Sequence, residues 1–124
     1  MACTKCSGMN DCNAFFLPLN DLLTVLNGKW KMRLILCLAS EPKRFNEMKN
    51  CHGISPRILS KELKELEMNG IIIKTEVKDS LNTVIYTLTE IGLELIPIIM
   101  QLQKWGDAHR HKVLVQVHQK SDDV

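Results

Sequence analysis

The run Gly53-Ile54-Ser55-Pro56-Arg57-Ile58-Leu59-Ser60-Lys61-Glu62-Leu63-Lys64-Glu65-Leu66-Glu67 is the strongest constraint on what this chain can fold into. Ser55 can accept a hydrogen bond from an early backbone N–H, and Pro56 supplies the fixed φ that suits a first helical position, so the start of a helix is well marked. At 100° per residue Leu59, Leu63 and Leu66 share one face, while Arg57, Lys61 and Lys64 project from the opposite one. Such a helix must dock by its leucines and hold its cations outward. Cations on the outer face of a surface helix are often only solvated charge, so context decides what they do.

A short helical segment, Phe45-Asn46-Glu47-Met48-Lys49, precedes the run, and a turn containing Gly53 joins the two, which is the helix-turn-helix arrangement. Asn69-Gly70 then supplies a left-handed helix end, and Ile71-Ile72-Ile73-Lys74-Thr75-Glu76-Val77 has the β-branched content of a strand. Asp79-Ser80-Leu81-Asn82 reads as its turn and Thr83-Val84-Ile85-Tyr86-Thr87-Leu88 as the returning strand. Upstream, the spacing predicts a short helix over 19–26 that Asn27-Gly28 stops, and an apolar central helix from Trp30 to Ala39 that Ser40-Glu41-Pro42 ends. Downstream, Thr89 and Glu90 open a long helix bearing Ile91, Leu95, Ile98, Ile99, Leu102 and Trp105. Its stripe exceeds what one small domain can cover. Pro97 should bend this helix or leave one carbonyl free, and Val113-Leu114-Val115-Gln116-Val117 suits helix or strand equally. The expected class is α+β, mostly helical: a winged helix-turn-helix with a two-stranded β wing and terminal dimerisation helices.

With 124 residues, 45% of them hydrophobic, the chain can bury one core, and a large active-site cleft would require dimerisation. The net charge is only +2, yet residues 29–78 hold eleven Lys or Arg against six Glu, a local excess of five. Basicity concentrated in this way is what a phosphate-facing surface needs. No leader pattern is visible at the N-terminus and no apolar run spans a bilayer, so a cytoplasmic protein without membrane association is expected. An odd count of five cysteines in that compartment argues against a structural disulfide framework. Residues 1–13 contain Cys3, Cys6 and Cys12 with little apolar content and read as a mobile arm. The expected domain spans 14–112, and 113–124 form a tail.

In this order the motifs resemble the HxlR-type family of bacterial winged-helix transcription regulators. The likeness covers about residues 17–106. It rests on Asn27-Gly28-Lys29-Trp30, Lys43-Arg44-Phe45-Asn46-Glu47, Gly53-Ile54-Ser55-Pro56-Arg57-Ile58-Leu59-Ser60, Leu66-Glu67-Met68-Asn69-Gly70 and Tyr86-Thr87-Leu88-Thr89-Glu90-Ile91-Gly92. The resemblance implies a homodimer built from the first and last helices, two recognition helices in successive major grooves of double-stranded DNA, and control by electrophiles, oxidants or small molecules. Two positions depart from the family pattern. Leu17 stands before Pro18 where the family commonly has cysteine, so its usual redox switch does not carry over. Thr83-Val84-Ile85-Tyr86 replaces a more basic wing, which moves phosphate contacts to Lys74, Lys78 or Asn82.

The expected DNA-binding residues are Arg44, Ser55, Pro56, Arg57, Ser60, Lys61, Lys64, Lys74, Lys78 and Asn82. Arg57 is the best base reader because its planar fork matches O6 and N7 of guanine, while the lysines suit phosphate or base. The function expected is a sequence-specific regulator and repressor, answering to redox, electrophiles or a small apolar effector. Cys6, Cys12 and Cys51 are the candidate redox thiols, since a thiolate near a cation oxidises readily. Cys37, inside the apolar helix, reads as a small core residue, and Cys51 as a reachable thiol in the turn before the recognition helix. A zinc- or thiol-dependent sensor built on Cys3, Cys6 and Cys12, with His109 or His111 as a distant ligand, is the alternative, as is a winged helix that binds only protein. His118 and the other tail histidines read as solvated. No catalytic constellation, cofactor or resident metal is expected: the Cys3 and Cys6 pair lacks a base at any readable spacing.

Overall fold

The computed structural model describes the backbone of residues 9–78 and 83–122, and the side chains of 12–78 and 83–116. Helix α1 (Met9–Leu26) leads into α2 (Lys31–Ser40), a two-residue strand β1 (Lys43–Arg44), α3 (Phe45–His52) and α4 (Pro56–Met68). Strands β2 (Ile72–Val77) and β3 (Thr83–Leu88) follow, and α5 (Glu90–Asp122) closes the chain. The sheet is antiparallel with order β1-β3-β2, so the expected two-stranded wing is joined by a third strand on the far side of β3. A two-residue strand has no periodicity to betray it.

One hydrophobic cluster holds these elements together. Leu34, Ile35 and Leu38 from α2, Met48 from α3, Ile54 from the turn, Leu59, Leu63 and Leu66 from α4, Ile71, Ile72 and Leu88 from the sheet, and Leu95 and Ile99 from α5 are all buried in it. The leucine face of α4 therefore points where its spacing predicts. Gly53, at φ +62, ends α3 and donates its N–H to the Lys49 carbonyl, while Gly70, at φ +74, turns the chain from α4 into β2. Only glycine adopts such angles at little cost.

Three boundaries differ from the sequence expectation. Helix α1 begins at Met9 and carries Pro18 inside it, where a helix over 19–26 was expected. Helix α5 passes through Pro97 and includes 113–117, which settles that run as helix. Both prolines lack the N–H for the i−4 carbonyl, but a long helix propagated from both sides tolerates the loss. Third, Cys51 belongs to the last turn of α3 and not to the turn that follows. The expected turn 79–82 lies outside the described residues.

Thr89 locks the start of α5 to the end of α4. Its hydroxyl donates to the Gly70 carbonyl at 2.6 Å and accepts from the Gly92 N–H at 3.1 Å, and its own N–H donates to the Ile71 carbonyl at 3.0 Å. Gly92 is what lets these segments approach, because a Cβ there would collide with the Ile71 carbonyl oxygen. Gly92→Ala should therefore lower unfolding free energy by about 1–3 kcal/mol, the usual cost of overpacking. Gly106→Ala, with nothing within 4 Å of its added Cβ, should stabilise by about 0.5–1 kcal/mol through helix propensity. Urea midpoints of the two variants check both signs.

Candidate nucleic-acid interface

Ser55 caps α4: its Oγ accepts the Ile58 N–H at 3.3 Å, and Pro56 occupies the first helical position. Pro56 has no N–H and Leu59 donates its own to the Ser55 carbonyl at 2.9 Å, so in the first turn the Arg57 N–H is the one left to meet an anion, and Arg57, Ser60, Lys61 and Lys64 are exposed along the helix. Ile58 is also exposed, at 41%. Sequence reasoning passes over it, because an apolar residue directly before Leu59 looks like core.

The wing stands beside this helix. Lys43 on β1 and Lys74 on β2 both pair with Tyr86 on the central strand, which puts the three on one face of the sheet. A groove of about 260 Å³ between sheet and helix is lined by Ser60, Leu63, Lys64, Glu67, Lys74 and Tyr86. Lys64 and Lys74 thus edge a single depression joining α4 to the wing. Lys78 is exposed at the end of β2. Arg44 lies just before α3, where the Glu47 carboxylate accepts its backbone N–H at 3.3 Å and sits 3.9 Å from its Nε, so part of its charge is already answered. Asn82 lies outside the described residues.

A buried cation fixes how α4 is held. Lys31 is only 5% exposed, and its Nζ lies 2.9 Å from a Glu62 oxygen and 2.6 Å from a Glu65 oxygen. It also donates to the Asn27 carbonyl at 3.4 Å. Burial lowers the Lys31 pKa, but the contacts and charges of Glu65 and Glu62 outweigh it and leave the net value raised above 10.5. Hydrogen bonding to Lys31 and its charge hold the Glu65 carboxyl below its ordinary 4.5. Sequence reasoning missed this clamp, since the partners are far apart along the chain. Beside Lys31, Lys29 in the turn before α2 and Arg33 in its first turn approach the Trp30 ring to 5.0 and 5.3 Å, so those two cations are engaged by an aromatic face.

The thiols divide. Cys12 is half-buried on α1, Cys51 is exposed, and Cys37 is half-buried against the core. Cys3 and Cys6 lie outside the described residues. Cys37 is more than a core filler: Cys37, Cys51 and His52 bring their ligand-capable atoms within 4.8 Å of one another. Burial raises the Cys37 pKa, as does the neighbouring Cys51. His109 stacks on the exposed Trp105 ring at 4.9 Å, one turn away on α5, and so has a ring partner that the expected solvated tail did not include.

Helix, turn, recognition helix and wing in this order define a winged helix-turn-helix DNA-binding protein. Residues 25–113 match the family described as HxlR-like helix-turn-helix. The HTH-type transcriptional regulator YybR of Bacillus subtilis is 38% identical over 94 residues, covering 75% of each chain. YodB, an HTH-type transcriptional regulator of the same organism, is 34% identical over 96 residues, covering 77% of this chain and 86% of its own. Among solved structures, the redox regulator HypR in its reduced form superposes with a TM-score of 0.73 at 35% identity, covering 79% of this chain and 98% of that one. This chain belongs to the HxlR-like helix-turn-helix family of transcriptional regulators. Among the described residues no helix is long and apolar enough to cross a membrane.

Lys31→Met would leave the Glu62 carboxylate half-buried without its cation and should destabilise the fold by about 1–3 kcal/mol, measured by urea unfolding at neutral pH. A raised lysine pKa contributes stability below 10.5 that is lost only as pH climbs through the higher folded value. A lowered carboxylate pKa contributes above 4.5 and is lost as pH falls. The gap between wild type and Lys31→Met should therefore be flat between these limits and shrink below pH 4.5. A gap that persists unchanged in acid would mean that packing, not charge, is what the variant removes.

Proposed function

We propose that the chain is a cytoplasmic, homodimeric repressor that inserts α4 into the major groove, reads bases with Arg57, and holds phosphates with Lys61, Lys64, Lys74 and Lys78. One observation carries the reading: α4 buries Leu59, Leu63 and Leu66 while its capped N-terminus and its cations face away from the core. Ser55 and Ser60 offer hydroxyls to phosphate or base, Pro56 fixes the entry of the helix, and exposed Ile58 suits a thymine methyl group. Arg44 and Asn82 complete the set of proposed DNA contacts.

Dimerisation is supported by apolar surface on the terminal helices. Phe16, Leu17, Leu19 and Leu23 are exposed on α1, and Leu93, Ile98, Leu102, Trp105 and Leu114 on α5. Two docked copies would supply the paired recognition helices that half-site spacing demands. Among the described residues every element belongs either to the winged helix or to these terminal helices.

Response to thiol chemistry is supported by the exposed Cys51 close to the recognition helix and by the relatives HypR, solved in reduced and oxidised forms, and YodB, solved diamide-treated and quinone-bound. A pocket of about 240 Å³ between α1 and α5 has apolar walls from Leu22, Val25, Ile71, Ile91, Leu95 and Ile98 with Asp21, Asn69 and Glu94 also lining it, which suits a small, mainly apolar effector that carries a polar or cationic group.

Arg57→Ala with Lys61→Ala should weaken operator binding at least about thirtyfold in fluorescence anisotropy and make the log–log salt slope shallower by roughly one for each phosphate no longer neutralised. Unchanged affinity would place the DNA face elsewhere, and wild-type binding indifferent to salt would favour a protein partner. Leu23→Glu with Leu102→Glu should convert the dimer to a monomer in sedimentation equilibrium. A dimer mass retained in that variant would assign the subunit contact to another surface.

A further inference from the structure

We propose that Cys37, Cys51 and His52 form a binding site for a thiophilic d10 metal ion, with Zn(II) the ion it takes. Cys37 comes from the body of α2, and Cys51 and His52 from the last turn of α3, so packing of the two helices, not a local sequence motif, assembles the set. Their ligand atoms lie within 4.8 Å of one another. In a tetrahedral site with Zn–S of about 2.3 Å and Zn–N of about 2.0 Å, ligand atoms stand roughly 3.5–3.8 Å apart, so adjustments of about 1 Å close it. Two thiolates and an imidazole are a donor set that selects soft and borderline ions over Mg(II) or Ca(II).

A second observation points to the same place. The Nε2 of His52 is buried and has no hydrogen-bond partner among the described residues. A buried ring nitrogen left without a partner is costly, and an ion ligated at Nε2 would relieve that cost. Exposed Cys51 supplies the path of entry. Three protein ligands leave a fourth position for water or an added thiol. Uptake converts both thiols to thiolates and releases up to two protons, so affinity should rise with pH. The bound ion would tie α3 to α2 immediately before the Gly53 turn that aims α4.

The test uses the full chain, reduced and stripped of metal under argon, titrated with Zn(II) against a chromophoric chelator and separately with Co(II). The expected result is one ion per chain, a Co(II) spectrum with thiolate charge-transfer and tetrahedral ligand-field bands, and weaker binding on acidification. Cys51→Ser and Cys37→Ser should each weaken Zn(II) more than about 100-fold, beyond the loss typical of outer-shell changes. His52→Gln should shift the Co(II) bands. The triple variant Cys3→Ser, Cys6→Ser, Cys12→Ser should bind like wild type. Loss of the ion in that triple variant, or equal affinity in wild type and Cys51→Ser, would overturn the site. So would a reduced chain that takes up no ion yet loses the Cys37 and Cys51 thiols together on diamide treatment, which would make the pair a disulfide switch. None of these readouts involves DNA, so they stand or fall separately from the proposed operator binding.

Discussion

Burial of the leucine face of α4 is the interaction on which the rest of the molecule depends. Leu59, Leu63 and Leu66 sit in the same cluster as Leu34, Ile35 and Leu38 of α2, and each core leucine of this kind contributes about 2–5 kcal/mol by the cost of its truncation. Because a helix has only one such face, docking it dictates where everything else on α4 points. Arg57, Lys61 and Lys64 are solvent-facing as a geometric consequence of where the leucines go. The residues proposed to meet DNA thus have their position decided by their neighbours' hydrophobicity. The cations of α4 become a usable surface only once that docking has turned them away from the core.

The wing and the last helix extend the same logic. Tyr86 on the central strand is flanked by Lys43 and Lys74, and the register that sets this is fixed by Ile72 opposite Leu88, both buried. Slipping β2 by one residue would turn Lys74 to the other face of the sheet. Thr89 and Gly92 then join the sheet's first residues to α5, so the long helix that carries exposed apolar surface starts from the same corner that ends the recognition helix. A subunit contact on α5 would be transmitted to α4 through the hydrogen bonds that the Thr89 hydroxyl and N–H donate to the Gly70 and Ile71 carbonyls and not through a flexible linker.

Much of this was legible in the sequence because it is local. The cap at Ser55, Pro56 at the first helical position, the leucine spacing and the two glycine helix ends are all read within a few residues. The early start of α1 was not legible, since Pro18 and a polar beginning argue against helix locally, while propagation across the whole segment overrides them. The run 113–117 was ambiguous because its β-branched residues suit strands, yet it continues a helix already nucleated. Two other features were hidden for a different reason. Lys31 meets Glu62 and Glu65, and Cys37 meets Cys51 and His52, only because α2 packs against the elements that carry them. Nothing in the spacing of those residues distinguishes them from solvated charge or inert core thiol.

Both hidden contacts use α2 as the fixed post, and they act near opposite ends of the recognition unit. Lys31, in the first turn of α2, grips the middle and C-terminal part of α4 through Glu62 and Glu65. Cys37, further along α2, faces the end of α3, just ahead of the Gly53 turn and the capped start of α4. A helix held firmly at its far end and steered at its near end pivots. The near end is where Arg57 and its backbone N–H sit, and base-edge hydrogen bonds fail with displacements of about 1 Å. Lys31 is paired with two carboxylates there, so that end is the anchored one. The thiol and imidazole cluster changes its bonding with metal or oxidant, so the near end is where a chemical signal would be converted into a change in groove contact.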